Sequence, residues 1–208
     1  MIKVYGMAVS GNCWKASQIL RLTGHAFDWI ETDTNRGDTR TEAFLALNPQ
    51  AEVPVVVLAD GVVLTQSNAI LAHFAEGTPW LPAAGLLRTR VMEWLFWEQY
   101  SHEPYIAVAR NLITYRKQRE EQAERLRMCA ERGARALGVM ERRLAVADWL
   151  TDAGPTIADL ALFAYTHVAH EGDFDLALTP GVQRWVGRVS DLPGLSSLPT
   201  PEAFGTRT

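Results

Sequence analysis

Val53-Pro54-Val55-Val56-Val57-Leu58-Ala59-Asp60-Gly61-Val62-Val63-Leu64 decides how the first half of the chain folds. β-Branched residues crowd both ends, and Ala59-Asp60-Gly61 leaves room only for a short turn, so strands at Val53–Leu58 and Val62–Leu64 pair as an antiparallel hairpin. Upstream, strand candidates Ile2–Tyr5 and Phe27–Thr32 flank a helix at Trp14–Leu22. A strand–helix–strand unit of that kind runs its strands parallel with a right-handed crossover. Helices at Thr41–Leu47 and Asn68–Ala75 complete the order βαβαββα, a small mixed sheet flanked by helices.

Beyond Gly77 the β signal stops. The stretch Gly77-Thr78-Pro79-Trp80-Leu81-Pro82-Ala83-Ala84-Gly85 is rich in helix breakers, and after it apolar residues recur at helical spacing. The expected layout is an α/β domain over residues 1–77, a linker over 78–87 and an all-α domain over 88–208. Helices are expected at Arg88–Arg116, kinked at Pro104, then at Arg119–Leu150, Ile157–His170 and Pro180–Val189, with an irregular tail after Leu192.

The 208 residues are 48% hydrophobic and 21% charged, enough for a sizeable core and against a disordered chain. Lys and Arg number 20 against 24 Asp and Glu, so a net charge of -4 offers no field for nucleic acid. Between Arg116 and Arg132 the cations alternate with Glu at helix-pair spacings, as on a solvated face. No leader pattern and no apolar run of spanning length stand out, so a cytoplasmic protein away from membranes is expected. Cys13 and Cys129 lie too far apart in sequence to suggest a disulfide framework or a zinc cluster. His167 and His170, three apart on one helix, lack an evident third ligand, and no metal is expected.

Chemistry concentrates in Ser10-Gly11-Asn12-Cys13-Trp14-Lys15, between the first strand and the first helix. A hydroxyl there sits among free N–H groups at the positive end of a helix dipole, which suits a thiolate. Ser10 and Asn12 are equally good as plain N-caps. In Ser10-x-x-Cys13 a hydroxyl occupies the place where thioredoxin-type domains carry the first cysteine of a reactive pair. A dithiol cycle within this turn is therefore unavailable, and a thiol used here must arrive with a substrate. Cys13 itself is read as buried and inert.

Three further pieces complete a pattern: Asn48-Pro49-Gln50-Ala51-Glu52-Val53-Pro54, Gln66-Ser67, and Thr156-Ile157-Ala158-Asp159. In this order and spacing the chain resembles a bacterial cytosolic glutathione transferase over almost its whole length. The resemblance implies a thioredoxin-like glutathione-binding domain followed by an all-helical one, glutathione as co-substrate, a small apolar electrophile as second substrate, and a homodimer paired through the two long helices. It implies a cis Val53-Pro54 bond that turns the Val53 main chain toward the cysteinyl part of glutathione. Gln66 and Ser67 would hold the γ-glutamyl group, Ser67 doubling as a helix cap. Ser10, or else Asn12, would hydrogen-bond the thiol sulfur. Thr156 and Asp159 read as a structural capping box.

The family pattern has Gly and Lys where Ala51 and Glu52 stand. An acid there removes a partner for the glycyl carboxylate of glutathione, a contact that Gln50, Lys15 or Arg36 could replace. The aromatic run from Trp94 to Tyr105 reads mainly as core. Beyond Pro104, Tyr105, Val108 and Arg110, with Tyr115, are the candidates for the second-substrate pocket. Two alternatives stay open. Asn12 near a hydroxyl also resembles bacterial disulfide-bond reductases that act on glutathione-linked disulfides, and Glu52 favours a noncatalytic binding module of the same fold.

Overall fold

The computed structural model describes residues 1–199. Four strands, β1 (Ile2–Gly6), β2 (Phe27–Glu31), β3 (Val55–Val57) and β4 (Val63–Thr65), form one sheet in the order β2-β1-β3-β4. β1 and β2 are parallel, with Ile2 opposite Phe27; β3 is antiparallel to β1 and β4, with Val56 opposite both Val4 and Leu64. Gly61, at φ 91°, closes the hairpin by donating to the Leu58 carbonyl. On one face Val4 and Val56 join Ile19 and Leu20 of α1 (Gly11–Leu22) and Ile70 and Leu71 of α3 (Ser67–Ala75) in a single core. On the other, Tyr5 meets Phe44 of α2 (Glu42–Leu47) edge to face. The third strand is shorter than its apolar run predicts. Pairing begins only at Val55 because Pro54, behind a cis peptide bond, has no N–H to give.

The expected helix Arg88–Arg116 is divided. α4 (Gly85–Trp97) passes through a π turn at Glu98–His102 into α5 (Glu103–Arg110), and a second π turn follows at Asn111–Tyr115. Pro104 causes the first break and is then harmless, since a proline in the first turn of a helix lacks only an N–H that would have no partner. The run predicted at Arg119–Leu150 is helical as α6 (Ala123–Leu144). α7 (Ile157–Thr166) stops short of His170, a 3-10 turn at Ala169–Gly172 follows, and α8 (Pro180–Ser190) is the last helix among the described residues. The irregular tail is observed to 199; residues 200–208, including Pro201, lie outside the described residues. Among the described residues no helix is long and apolar enough to cross a membrane.

Every residue of α7 is buried, which is why it starts so firmly. Thr156 caps it, and the Asp159 carboxylate returns to the Thr156 N–H at 2.9 Å while also accepting from Leu150 N and Trp185 Nε1 of α8. The capping box thus also ties α7 to the 150 loop and to α8.

Candidate active site

A cleft of about 410 Å3 lies between the sheet half and the helical half. Its floor is the start of α1. Ser10 is the N-cap, its Oγ accepting from Cys13 N at 3.4 Å. The Tyr165 hydroxyl of α7 accepts from Asn12 N at 3.3 Å. α1 can approach α7 this closely only through Gly11, where a Cβ would sit 2.7 Å from the Tyr165 ring and 2.9 Å from the Ala164 carbonyl oxygen. Burial pushes the Tyr165 hydroxyl well above its ordinary range, so it stays protonated. Burial likewise pushes the Cys13 thiol up to about 11 despite bonds from Ser10 and Met7, which leaves it inert as a nucleophile.

The Asn12 side chain bridges the halves. Its Oδ1 accepts from Ser67 Oγ at 3.2 Å, and its Nδ2 donates to Glu103 Oε1 of α5 at 3.4 Å. Ser67 is accordingly the first residue of α3 and not its cap; the cap position is Gln66, which makes no side-chain capping bond. Gln66 holds φ 66° and ψ 110°, a conformation that non-glycine residues avoid and that clusters at ligand sites. Val53, at the cleft wall, lies before the first paired position of β3, and no backbone hydrogen bond outside helices and strands engages it among the described residues. Val53 and Pro54 line the same cleft as Ser10, Asn12, Gln66 and Ser67. Gln50 is exposed and not among the residues that line the cleft; it touches the site only through Gln66, its Oε1 accepting from Gln66 Nε2 at 3.1 Å.

Other candidates are placed elsewhere. Lys15 has no exposed surface and pairs with Glu98 at 2.9 Å, with Asn68 as a further partner, so it faces the core between α1, α3 and α4 and not the cleft. Arg36 is exposed and pairs with Asp33. Tyr105 turns to α6, where its hydroxyl accepts from Arg132 at 2.8 Å. The π turn sets the phase of α5 so that Glu103, Ala107 and Asn111 face the cleft at intervals of four, which rotates Tyr105 away. Val108 and Tyr115 do line it. Arg110 reaches the cleft only with an edge: it is 3% exposed and its donors are spent on Glu171, the Val9 carbonyl and the Tyr115 hydroxyl. It acts as a clamp that fixes the loop before Ser10. Glu103, Asn111, Arg116 and Tyr165 escaped the sequence reading; the four-residue spacing would have revealed the first two had the helix start been known. His167 stacks on Phe163 at 4.3 Å and bonds the Phe163 carbonyl, a partly buried histidine with a packing role.

A helix N-terminus carrying hydroxyl and amide groups beside a cis proline, on a βαβαββα sheet domain followed by a helical one, defines the class: a thioredoxin-like domain joined to an all-helical domain. The chain belongs to the glutathione S-transferase family. Its residues 9–76 match the N-terminal domain of that family and 103–197 the C-terminal domain. A glutathione S-transferase from Xanthobacter autotrophicus, of known crystal structure, is 61% identical, with a TM-score of 0.96 over 98% of this chain and 100% of that one. The disulfide-bond oxidoreductase YfcG of Escherichia coli is 28% identical over 93% of this chain and 92% of its own. The Ure2 protein of Eremothecium gossypii is 30% identical over 143 residues, and there the chain spans only 40% of the relative's length.

Proposed function

We propose that the chain is a glutathione transferase that lays glutathione along the wall formed by α1, Val53 and α3 and uses its thiolate on a second substrate held against α5. The convergence of Ser10 and Asn12 at the open end of α1 carries this reading. Ure2p, which shares the fold, has been solved in complex with glutathione. In this reading residues 1–77 hold glutathione, 78–87 link, and 88–208 shape the second site. The Val53 main chain pairs with the cysteinyl residue as an added strand, and Gln66 and Ser67 take the γ-glutamyl end at the start of α3. Ser10, and with it Asn12, donates to the sulfur. A free thiol titrates near ~8.5, and one hydrogen bond to the charged form plus a helix dipole contributes roughly 2 to 3 kcal/mol, which brings the bound thiol to about neutrality.

A second reading, glutathione-dependent disulfide reduction, is favoured by the wall facing the sulfur. Gln99, Glu103, Asn111 and Arg116 outnumber the apolar Ala107 and Val108 there, which departs from the apolar pocket expected and suits a polar, glutathione-linked disulfide. Turnover of a chlorinated aromatic against a mixed glutathionyl disulfide decides between the two. Thiolate absorbance against pH tests both: Ser10→Ala is expected to raise the pKa of bound glutathione by about one unit and to lower the rate more than the affinity. Binding to immobilised glutathione with no turnover of either substrate would replace both readings by a binding module, as would a thiol left unshifted in wild type.

The same reading includes a homodimer. Phe96 and Tyr100 are 71% and 83% exposed, one helical turn apart, and Tyr100 shares a groove with Met128 of α6. An apolar face of this kind is covered by a second copy. Replacing Phe96 and Tyr100 together by Glu is expected to give a monomer in sedimentation velocity; a wild-type monomer at micromolar concentration would refute the dimer.

A further inference from the structure

We propose that Glu103 is a positioning residue that holds Asn12 as a hydrogen-bond donor toward the ligand sulfur, and that protonating Glu103 withdraws that donor. The inference rests on the cleft being a thiol-activating site, as set out above. Glu103 is the first residue of α5, carried over the start of α1 by the π turn before it. The Asn12 carboxamide lies between two partners, accepting from Ser67 through Oδ1 and donating to Glu103 through Nδ2. Ser67 alone does not fix the amide, because a hydroxyl both donates and accepts. A carboxylate only accepts, so an ionised Glu103 dictates that nitrogen faces it. The second Nδ2 hydrogen is then left for the cleft that Asn12, Ser67 and Glu103 all line. With the amide reversed, oxygen lone pairs would face the sulfur and repel a thiolate.

The surroundings make this contact sensitive to protons. Burial raises the Glu103 carboxyl above the ordinary range; Lys15 of α1 opposes this, Glu98 of the π turn adds to it, the Asn12 bond opposes it, and Glu52 ahead of β3 adds again. Arg110 of α5 lines the same cleft with its donors already engaged. Tyr165 of α7 stays neutral, as does His102 beside Glu103, whose imidazole burial pushes down to about 4. As pH falls through the raised range of Glu103, the carboxyl gains an O–H donor beside its remaining acceptor oxygen, and it no longer dictates that the Asn12 nitrogen faces it. The thiol takes up its own proton over the acid side as well. Wild type is therefore expected to lose kcat/KM on the acid side with a dependence on two protons.

The test measures kcat/KM against pH, thiolate absorbance of bound glutathione and calorimetric glutathione binding for wild type, Glu103→Gln and Glu103→Leu, each with Asn12 and with Asn12→Ala. Gln, which like the protonated carboxyl both donates and accepts, does not titrate, so its acid limb is expected to fall to one proton, with a thiol pKa at or above that of wild type. Leu removes the acceptor and is expected to raise the bound thiol by about one to two pH units, roughly tenfold to a hundredfold less thiolate at fixed pH, with little change in glutathione binding. In the Asn12→Ala background the same Leu substitution is expected to leave the thiol pKa level or to lower it, since only a nearby negative charge has been removed. A two-proton limb that survives in Glu103→Gln, or a rise in thiol pKa from Glu103→Leu without Asn12, overturns the proposal. A wild-type thiol that titrates like free glutathione overturns the thiol-activating reading and this inference together, and shows itself before any variant is made.

Discussion

Ala51 stands at φ 57°, with its N–H on the Asn48 carbonyl at 3.0 Å, in the turn that delivers Val53 to the cleft. A side chain in the left-handed region costs about 1–2 kcal/mol, and glycine is free of it. That is the physical reason the family pattern carries Gly at this place. Ala51→Gly is expected to stabilise the protein by about 0.5–1 kcal/mol, the relief of strain exceeding the extra entropy of the unfolded chain. Urea denaturation checks this, and a loss of stability would show that the turn is unstrained. The turn also marks how far the site was legible in the sequence. Ser10 and Asn12 can be singled out locally, because they stand where a strand hands over to a helix start; Val53, Pro54, Gln66 and Ser67 are singled out only through the family resemblance, and the structure puts all six on the same cleft. Glu103 and Tyr165 come to Asn12 from across 91 and 153 residues, and nothing local announces them.

Lys15 shows the opposite case, in which the position in the element decides against the local motif. It lies one turn inside α1, on the side facing α3 and α4, and its ammonium is held by Glu98 and Asn68, while Asn68 Nδ2 and Gln99 Nε2 complete the Glu98 carboxylate. Burial works to raise Glu98, but Lys15, His102 and the hydrogen bonds from Gln99 and Lys15 outweigh it and hold the carboxyl below its ordinary range. Lys15→Met leaves that carboxylate buried without its countercharge and is expected to cost about 3–5 kcal/mol, whereas adding Glu98→Gln should recover much of the loss. Chemical denaturation of the single and double variants checks this; a single variant within about 1 kcal/mol of wild type would mean the pair is solvated. The same elements explain what the sequence conveyed of the fold. The element order, the parallel β1–β2 unit and the β3–β4 hairpin followed from the crossover helix, turn length and β-branched runs, whereas the antiparallel contact of β3 with β1 did not. The division of the long helix between α4 and α5 did not, because a π turn leaves the apolar period almost intact while rotating everything after it.

α7 runs through the middle of the molecule, and two histidines flank its last turn, His102 buried and His167 partly buried. His102, from the π turn, meets Thr166 Oγ1 at 2.9 Å, and since that hydroxyl donates to the Leu162 carbonyl, the imidazole must donate through Nε2. Its Nδ1 is then a bare acceptor and has no partner. His167 donates through Nδ1 to the Phe163 carbonyl and accepts from Leu198 N, so it too is satisfied as the neutral ring. Burial pushes both down to about 4 from the ordinary 6.5. Above pH 6.5 neither the folded nor the unfolded chain carries these protons, and stability is indifferent to them. Between about 6.5 and 4 the unfolded chain takes them up and the folded chain does not, so stability falls as the pH falls, by about 3 kcal/mol for each histidine before levelling near its folded value. Carboxylates held low, such as Glu98, act at more acid pH, because their contribution is lost only as the pH drops through their folded range. The loss should be global, since α7 packs against α1, α4 and α8 alike, and unfolding monitored by tryptophan fluorescence and by circular dichroism should shift together. Urea midpoints from pH 7 to pH 4.5, at one protein concentration, measure it. His102→Gln and His167→Gln should each flatten the slope by about half, and a wild-type slope already flat across this window would show that the two rings take up protons inside the folded protein.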